Sequence, residues 1–479
     1  MKILLSGALL LLGSCLAQAQ AQAQAQTHVI QIGGGDELHS SQGQIEANVI
    51  WLDKLFSTRN NTPTNFFASG DSSEDDVVYL DPLAKPGKLT ALKRVFGSAL
   101  SDSTMQRHNW VPNARSTDKE QLTQSLSQLM QAVKPEDEVL IIYNGHGGLN
   151  KDDPENNYLR LWRKGRMTVE EFDRILDQAP REAIIRFVFP QCFSGAFHNL
   201  IYQTPWSDDL AEQNRCGFFA HSAFNESEGC TLSINENEYK DYSTYYFAAV
   251  AGQTRTHGPL ASEPDLNGDG KLSYHEAHRY VLHNSVSKDL SRASSEVFLE
   301  RWQPWYLKWL PGEEDKNSFY WRAAEATARR DGIELEPSAL HRQYRQQASQ
   351  YKRLWQQNKA LEKEIETQQK ALQEDLTYRW PGLNKTAIFS KPPVEIRELE
   401  AINAFLAENP EYRQLITDQG KHLLLKEKKL EAERKLAQID KIMRFKKLAR
   451  LEQQFADHAS TKDKARYARL MACENAPLN

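Results

Sequence analysis

Two short segments hold the residue types that nucleophilic chemistry needs. YNGHGG (143–148) sets His146 between glycines, and PQCFSGAF (190–197) sets Cys192 before small residues about 45 positions later. Each completes a strongly apolar run, EVLIIY (138–143) and AIIRFVF (183–189). A thiolate is the attacking form of cysteine, and an imidazole beside it acts as base or charge partner. Glycines at the histidine let backbone amides approach a reacting carbonyl, so the amides of Gly147 and Cys192 are expected to cradle an oxyanion. Alone, a His-Gly pair marks a turn and a cysteine after a buried strand marks a core. Together, at two strand ends, they point to a Cys-His dyad that works through a thioester acyl-enzyme.

Such a dyad needs neighbouring strands that end at one edge. VIQI (29–32), NFFAS (65–69), DVVYL (76–80), EVLIIY, AIIRFVF and CGFFAHS (216–222) read as strands. The last three are apolar almost throughout, as strands covered on both faces are. Helical patterns lie between them at 44–56, 116–133 and 168–179, the last opening on Thr168 with Glu171 in capping-box spacing. This alternation predicts an α/β sandwich around a mostly parallel sheet, which offers ligands the carboxyl ends of its strands.

At this point the chain resembles the clan CD cysteine peptidases, the group of caspases, legumains and gingipains. Their shared pattern is a strand ending in His-Gly and a next strand ending in Cys, with Ser-Gly or Gly soon after. YNGHGG and PQCFSGAF match both halves, and QCFSGAF is closer to the legumain form than to the caspase form. CGFFAHSAFNESEGC (216–230) is similar to the legumain strand that supplies part of the specificity pocket. The resemblance covers about residues 28–310. It implies a caspase-like α/β/α fold, a cysteine endopeptidase acting on a protein or peptide, and substrate contacts from Gln191, Ser222 and Glu226. Pro190-Gln191 stands where legumains carry Glu-Ala, so their asparagine preference does not transfer. A transpeptidase of the same type, or a scaffold without catalysis, are the alternatives.

DLNGDGKLSYHE (265–276) fits a twelve-residue EF-hand loop place by place. Asp265, Asn267 and Asp269 supply side-chain oxygens, Gly270 makes the sharp turn, Lys271 offers its carbonyl, Ser273 occupies the ninth place and Glu276 closes the loop. The preceding THGPLASEP is not helical, so a lone structural Ca2+ site is expected. GGGD (33–36) lacks the GxGxxG spacing of a phosphate loop; the resemblance to clan CD peptidases implies that it approaches the reactive edge. His257, His275 and His278 form no zinc-ligand array.

The N-terminus reads as an export signal. Lys2 precedes an apolar run over 3–12, too short to span a bilayer, followed by a tract of alternating Ala and Gln. LGSC (12–15) resembles a lipobox with Cys15 as the lipidated residue, so the protein is expected in the periplasm, secreted, or held by lipid at an outer membrane. The net charge of -5, from 59 basic and 64 acidic residues, speaks against a nucleic-acid partner. Cys216 and Cys230 are candidates for a disulfide in an oxidising compartment, or for two unpaired thiols.

The expected organisation is a leader with its Ala-Gln repeat (1–26), a peptidase domain (27–310), a connector (311–334) and a helical arm (335–479). In the arm, apolar residues recur three and four apart over 341–376 and 423–455, separated by the Pro-rich WPGLNKTAIFSKPP (380–393), with a further break near Asn409-Pro410. The pattern predicts an antiparallel helical hairpin, a surface for a protein partner.

Overall fold

The structure, a computed structural model, describes residues 26–59, 61–309, 314–390 and 396–478. Residues 1–25 of the leader, with Cys15, lie outside the described residues, as do the first residues of the connector. The strands are β1 (Thr27–Gly34), β2 (Thr64–Phe67), β3 (Val77–Leu80), β4 (Thr104–Arg107), β5 (Glu138–Gly148), β6 (Tyr158–Leu161), β7 (Gly165–Thr168), β8 (Ile184–Phe189), β9 (Asn214–Phe219) and β10 (Arg292–Ala293). Helices α1 (Gly43–Ser57), α2 (Thr90–Phe96), α3 (Lys119–Ala132), α4 (Val169–Leu176), α5 (Tyr242–Ala251), α6 (Tyr274–Asn284), α7 (Ser294–Trp302) and α8 (Phe319–Asp331) lie before and among the later elements. The C-terminal region is helical: α9 (Pro337–Arg379), α10 (Lys385–Phe389), α11 (Leu399–Glu408), α12 (Pro410–His458) and α13 (Thr461–Glu474).

The main sheet runs β10-β9-β8-β5-β1-β2, parallel throughout except for β10. Alternation along its strands feeds two cores. Ile30, Ile141, Tyr143, Phe187 and Phe189 face α3 and α4, while Val29, Leu140, Ile142, Val188 and Phe218 face α1, α5 and α6. Both faces are covered, which is why β5 and β8 are apolar almost throughout. The chain is therefore a mixed α/β fold with a mostly parallel central sheet and a long helical C-terminal region. Residues 77–80, predicted as one more strand of a single sheet, instead pair antiparallel with β4 in a separate ribbon.

The helical ends follow their sequence signals. Thr168 accepts from the Glu171 amide at 3.2 Å and its own amide donates to the Glu171 carboxylate at 2.9 Å, the predicted capping box. Asn409 caps α12 by accepting from the Tyr412 amide at 2.9 Å, with Pro410 at the first helical position.

The C-terminal helices pack on the rest of the chain in two places. Near the sheet, Ile439, Ile442, Phe445 and Leu448 of α12 share a core with Phe298 and Leu299 of α7 and Tyr320 and Ala324 of α8. At the far end, Ile365 and Leu372 of α9 and Leu415 of α12 bury Leu92 and Val95 of α2. Cys216 of β9 is bonded to Cys473 of α13, not to Cys230. The backbone explains the pairing: α13 lies against β9, and the Cys473 carbonyl accepts from buried Arg186 at 3.0 Å.

Candidate active site

The two reactive side chains arrive from adjacent strands. The parallel pairing of β5 with β8 stops at Ile142–Val188 and with β1 at Gly145–Gly34. β5 then continues and pairs antiparallel with β6 through His146–Arg160 and Gly147–Leu159. His146 thus sits inside a strand extension, where the sequence places it just past the strand end. The Tyr143 hydroxyl braces this bend, lying 2.7 Å from the Arg160 carbonyl and 2.9 Å from that of His146.

Beyond β8, Pro190 and Gln191 lead to Cys192, and Phe193 turns the chain with φ 58°. A bulky side chain in that left-handed region is strained, and strain of this kind collects at functional turns. The Phe193 amide donates to the Asn225 carbonyl at 2.8 Å, which holds the turn. Gly147 rests directly on this turn: a Cβ there would lie 1.8 Å from the Cys192 carbonyl oxygen. No other residue fits, and the contact brings the histidine and cysteine backbones together.

His146 and Cys192 open into one cleft of about 660 Å³, lined also by Asp36, Gly147, Arg160 and Glu226. The imidazole is held from behind. Its Nε2 lies 2.7 Å from the Ser40 carbonyl and 2.8 Å from Gln42 Oε1. Both partners only accept, so Nε2 carries the proton and Nδ1 presents a lone pair. Burial, then the neighbouring Arg160 charge, pushes the His146 pKa below its ordinary 6.5, against the bond to Ser40. Ser40 is itself anchored, its hydroxyl donating to Asp36 at 2.6 Å. Asp36 takes the Arg160 fork at 2.7 and 3.1 Å. Burial would raise the Asp36 pKa, but Ser40 and Arg160 outweigh it and hold the carboxyl low.

The Cys192 sulfur lies 3.8 Å from both the carbonyl and the hydroxyl of Ser227. The Ser227 hydroxyl also lies within donating distance of the Pro190 carbonyl, at 2.8 Å. Burial pushes the Cys192 thiol up from 9.0. Both shifts favour the uncharged forms of the thiol and the imidazole.

The other predicted contacts separate. Glu226 lines the cleft, and its charge adds to the rise of the Cys192 pKa. Gln191 is 2% exposed, sits beneath Gly147, and has no hydrogen-bond partner for either side-chain polar atom. Ser222 donates to Asn225 at 2.6 Å and closes a turn outside the cleft lining. GGGD meets the reactive edge through Asp36. One residue was not expected here: the unpaired Cys230, whose sulfur lies 3.6 Å from His146 Nδ1. Nothing in its sequence surroundings distinguishes it from a core or disulfide cysteine.

A second cleft, of about 570 Å³, lies between α1 and the Arg107–Trp110 segment and contains no thiol. Two of its cations are ion-paired, Arg107 with Glu46 and Arg255 with Glu236.

The loop at 265–276 curls through its own side chains. Asp265 accepts from the Gly268 and Gly270 amides at 2.8 and 2.9 Å, and Asn267 and Asp269 from the amides two residues on. Gly270 has φ 77°, as the sharp turn requires. Glu276 reaches back across the loop to the Leu266 and Asn267 amides at 3.1 and 3.3 Å, and to Ser273. The donor set is oxygen throughout, which fits Ca2+. Among the described residues no three His, Cys, Asp or Glu side chains form a metal group by themselves. A calcium site here also needs Asn267, Ser273 and the Lys271 carbonyl. The C-terminal tail pairs with the loop's exit, the Leu478 amide donating to the Leu272 carbonyl at 2.8 Å.

No family model matches the chain, and no curated protein matches it. Among solved structures it is similar to protein GSU0716 from Geobacter sulfurreducens, at 11% identity and a TM-score of 0.34, over 56% of this chain and 92% of that one.

Proposed function

We propose that the chain is a cysteine endopeptidase of the caspase and legumain type, with Cys192 as nucleophile and His146 as base. The observation that carries the reading is the held imidazole: Nε2 is committed to Ser40, which leaves the lone pair on Nδ1, 3.6 Å from the Cys230 sulfur, in the cleft that Cys192 also lines. As a substrate carbonyl enters, Nδ1 takes the thiol proton, sulfur bonds to carbon, and the amides of Gly147 and Cys192 receive the oxyanion. The imidazolium then protonates the leaving amine, and water resolves the thioester. The contact between Gly147 and the Cys192 backbone supports that pairing of amides. Glu226 at the cleft, and the buried, unpartnered amide of Gln191, are the polar groups available to a substrate side chain.

Ca2+ held by Asp265, Asn267, Asp269, Lys271, Ser273 and Glu276 would stiffen the loop against the C-terminal tail. The Cys216–Cys473 disulfide supports an exported protein, since such bonds persist in oxidising compartments. Among the described residues no helix is long and apolar enough to cross a membrane.

The deciding experiment is labelling with a thiol-directed activity probe, followed by peptide mapping. Label on Cys192 that disappears in His146→Ala supports the dyad. Label that ignores the histidine refutes it.

A further inference from the structure

The loop that carries Ser227, Glu228 and Cys230 past the cleft is gripped from outside by α12. Arg434 forks onto the Glu228 carboxylate, with Nε 3.1 and 3.2 Å from its two oxygens and Nη2 bonded to Oε1. The pair is largely shielded, at 25% exposure for Arg434 and 12% for Glu228. Glu228 is tied at its backbone too, its amide donating to Asp289 at 2.7 Å. The same face of α12 continues along the following segment. Gln438 donates to the Ser287 carbonyl at 3.0 Å, Lys441 to the Ser285 carbonyl at 3.1 Å, and Arg444 to the Ser291 carbonyl at 2.9 Å. Residues 434, 438, 441 and 444 fall three and four apart, the spacing of one helix face.

Next to Glu228, Ser227 sets two oxygens 3.8 Å from the Cys192 sulfur and one hydrogen bond on Pro190. The contacts therefore run without a gap from Arg434 through Glu228 and Ser227 to Cys192. Residues 220–232 hold no helix or strand, so side-chain ties join a few backbone bonds, such as Phe193 to Asn225, in placing this segment. A guanidinium fork fixes a carboxylate in two directions at once, whereas an ammonium fixes it only as a point charge.

We propose that Arg434 and Glu228 are positioning residues for the Cys192 thiol, which makes α12 a working part of the site rather than a separate arm. The proposal rests on the reading of Cys192 as the reactive thiol. Loss of the fork lets the Ser227 oxygens drift from the sulfur, and the thiol no longer meets His146 in one orientation. Small misplacements of this kind cost about ten-fold or more in rate.

The test is the rate of Cys192 alkylation by iodoacetamide at pH 8 on the full chain, read by peptide mass spectrometry, which separates it from Cys230. Arg434→Ala is expected to slow it roughly ten-fold, and Arg434→Lys to recover part of the loss. In a Glu228→Gln background Arg434→Ala should add little, because the two act through each other. Melting curves of Arg434→Lys and Glu228→Gln, the milder variants, keep the test valid if Arg434→Ala folds poorly. A wild-type rate in Arg434→Ala, or full additivity with Glu228→Gln, overturns the positioning. If His146→Ala slows Cys192 and Arg434→Ala does not, positioning alone falls. If His146→Ala leaves the rate unchanged, the dyad itself falls.

Discussion

His146 Nε2 stands 2.7 Å from the Ser40 carbonyl oxygen, and that one bond assigns the tautomer of the imidazole. A carbonyl cannot donate, so the imidazole proton lies on Nε2 and the reactive lone pair on Nδ1. Nitrogen-15 spectra of histidine-labelled protein at neutral pH are expected to show His146 as the Nε2-H form. An Nδ1-H signal would mean that the ring faces the wrong way for this chemistry.

Two thiols share the imidazole's surroundings, and mutation separates them. Cys192→Ala is expected to abolish turnover of a peptide substrate while leaving the melting curve unchanged. Cys230→Ala should keep activity within about ten-fold, because the residue sits on the loop rather than at the strained turn after β8. Turnover surviving in Cys192→Ala but lost in Cys230→Ala would transfer the nucleophile's role to Cys230, the sulfur 3.6 Å from Nδ1.

How much of this site could be read in advance depends on the range of the contacts. His146, Gly147 and Cys192 were legible because each ends an apolar run, and strand ends on one sheet meet by topology. Asp36 was legible only as part of a glycine-rich segment. Its pairing with Arg160, 124 positions away, depends on where β6 lands. Cys230 approaches His146 through an irregular loop, for which neither period nor propensity gives a register. The fold was legible where hydrophobic period and local signals agreed, as at the Thr168 cap and the helix break at Asn409-Pro410. The Cys216–Cys473 bond spans 257 positions, and its partner choice follows from α13 packing on β9, which no local pattern encodes.

Titration offers a check on the resting charge state. Burial foremost holds His146 below 6.5 and Cys192 above 9.0. The base must be neutral to accept a proton, so kcat/KM is expected to persist as pH falls through 6.5 and to drop only below it. In His146→Ala, where the thiol ionises unaided, the midpoint of the rise in Cys192 alkylation should lie above pH 9. A rate already on its plateau at pH 6 in the wild type would indicate a preformed thiolate–imidazolium pair.

Calcium should act on stability rather than on chemistry, since the loop at 265–276 lies outside the cleft. Adding Ca2+ is expected to raise the melting temperature, by mass action on the folded state. Glu276→Gln should remove most of that gain, because it takes away the closing carboxylate. Equal melting curves with Ca2+ and with chelator would rule out a stabilising site.

The last prediction concerns the chain beyond residue 334. A freely detachable arm, or a removable cover over the cleft, would leave a soluble enzyme when the chain is truncated there. The lining of the cleft runs only from Asp36 to Cys230, so none of it would be uncovered. Truncation instead strips α12 and α13 from Phe298, Leu299 and Tyr320, and removes the disulfide partner of Cys216 and one acceptor of the buried Arg186, which keeps Glu138. Exposing that apolar face costs far more than the stability of an ordinary domain allows. The truncated chain is therefore expected to be insoluble or molten, as judged by near-ultraviolet circular dichroism and dye binding. The milder Cys473→Ser separates the covalent tie from the packing. It should cost roughly 2–5 kcal/mol in denaturant melts, because it opens a long loop, yet retain Cys192 reactivity at 25 °C. A soluble, folded and reactive protein ending at residue 334 would show that the helices are a separate body, and would remove α12 from the site.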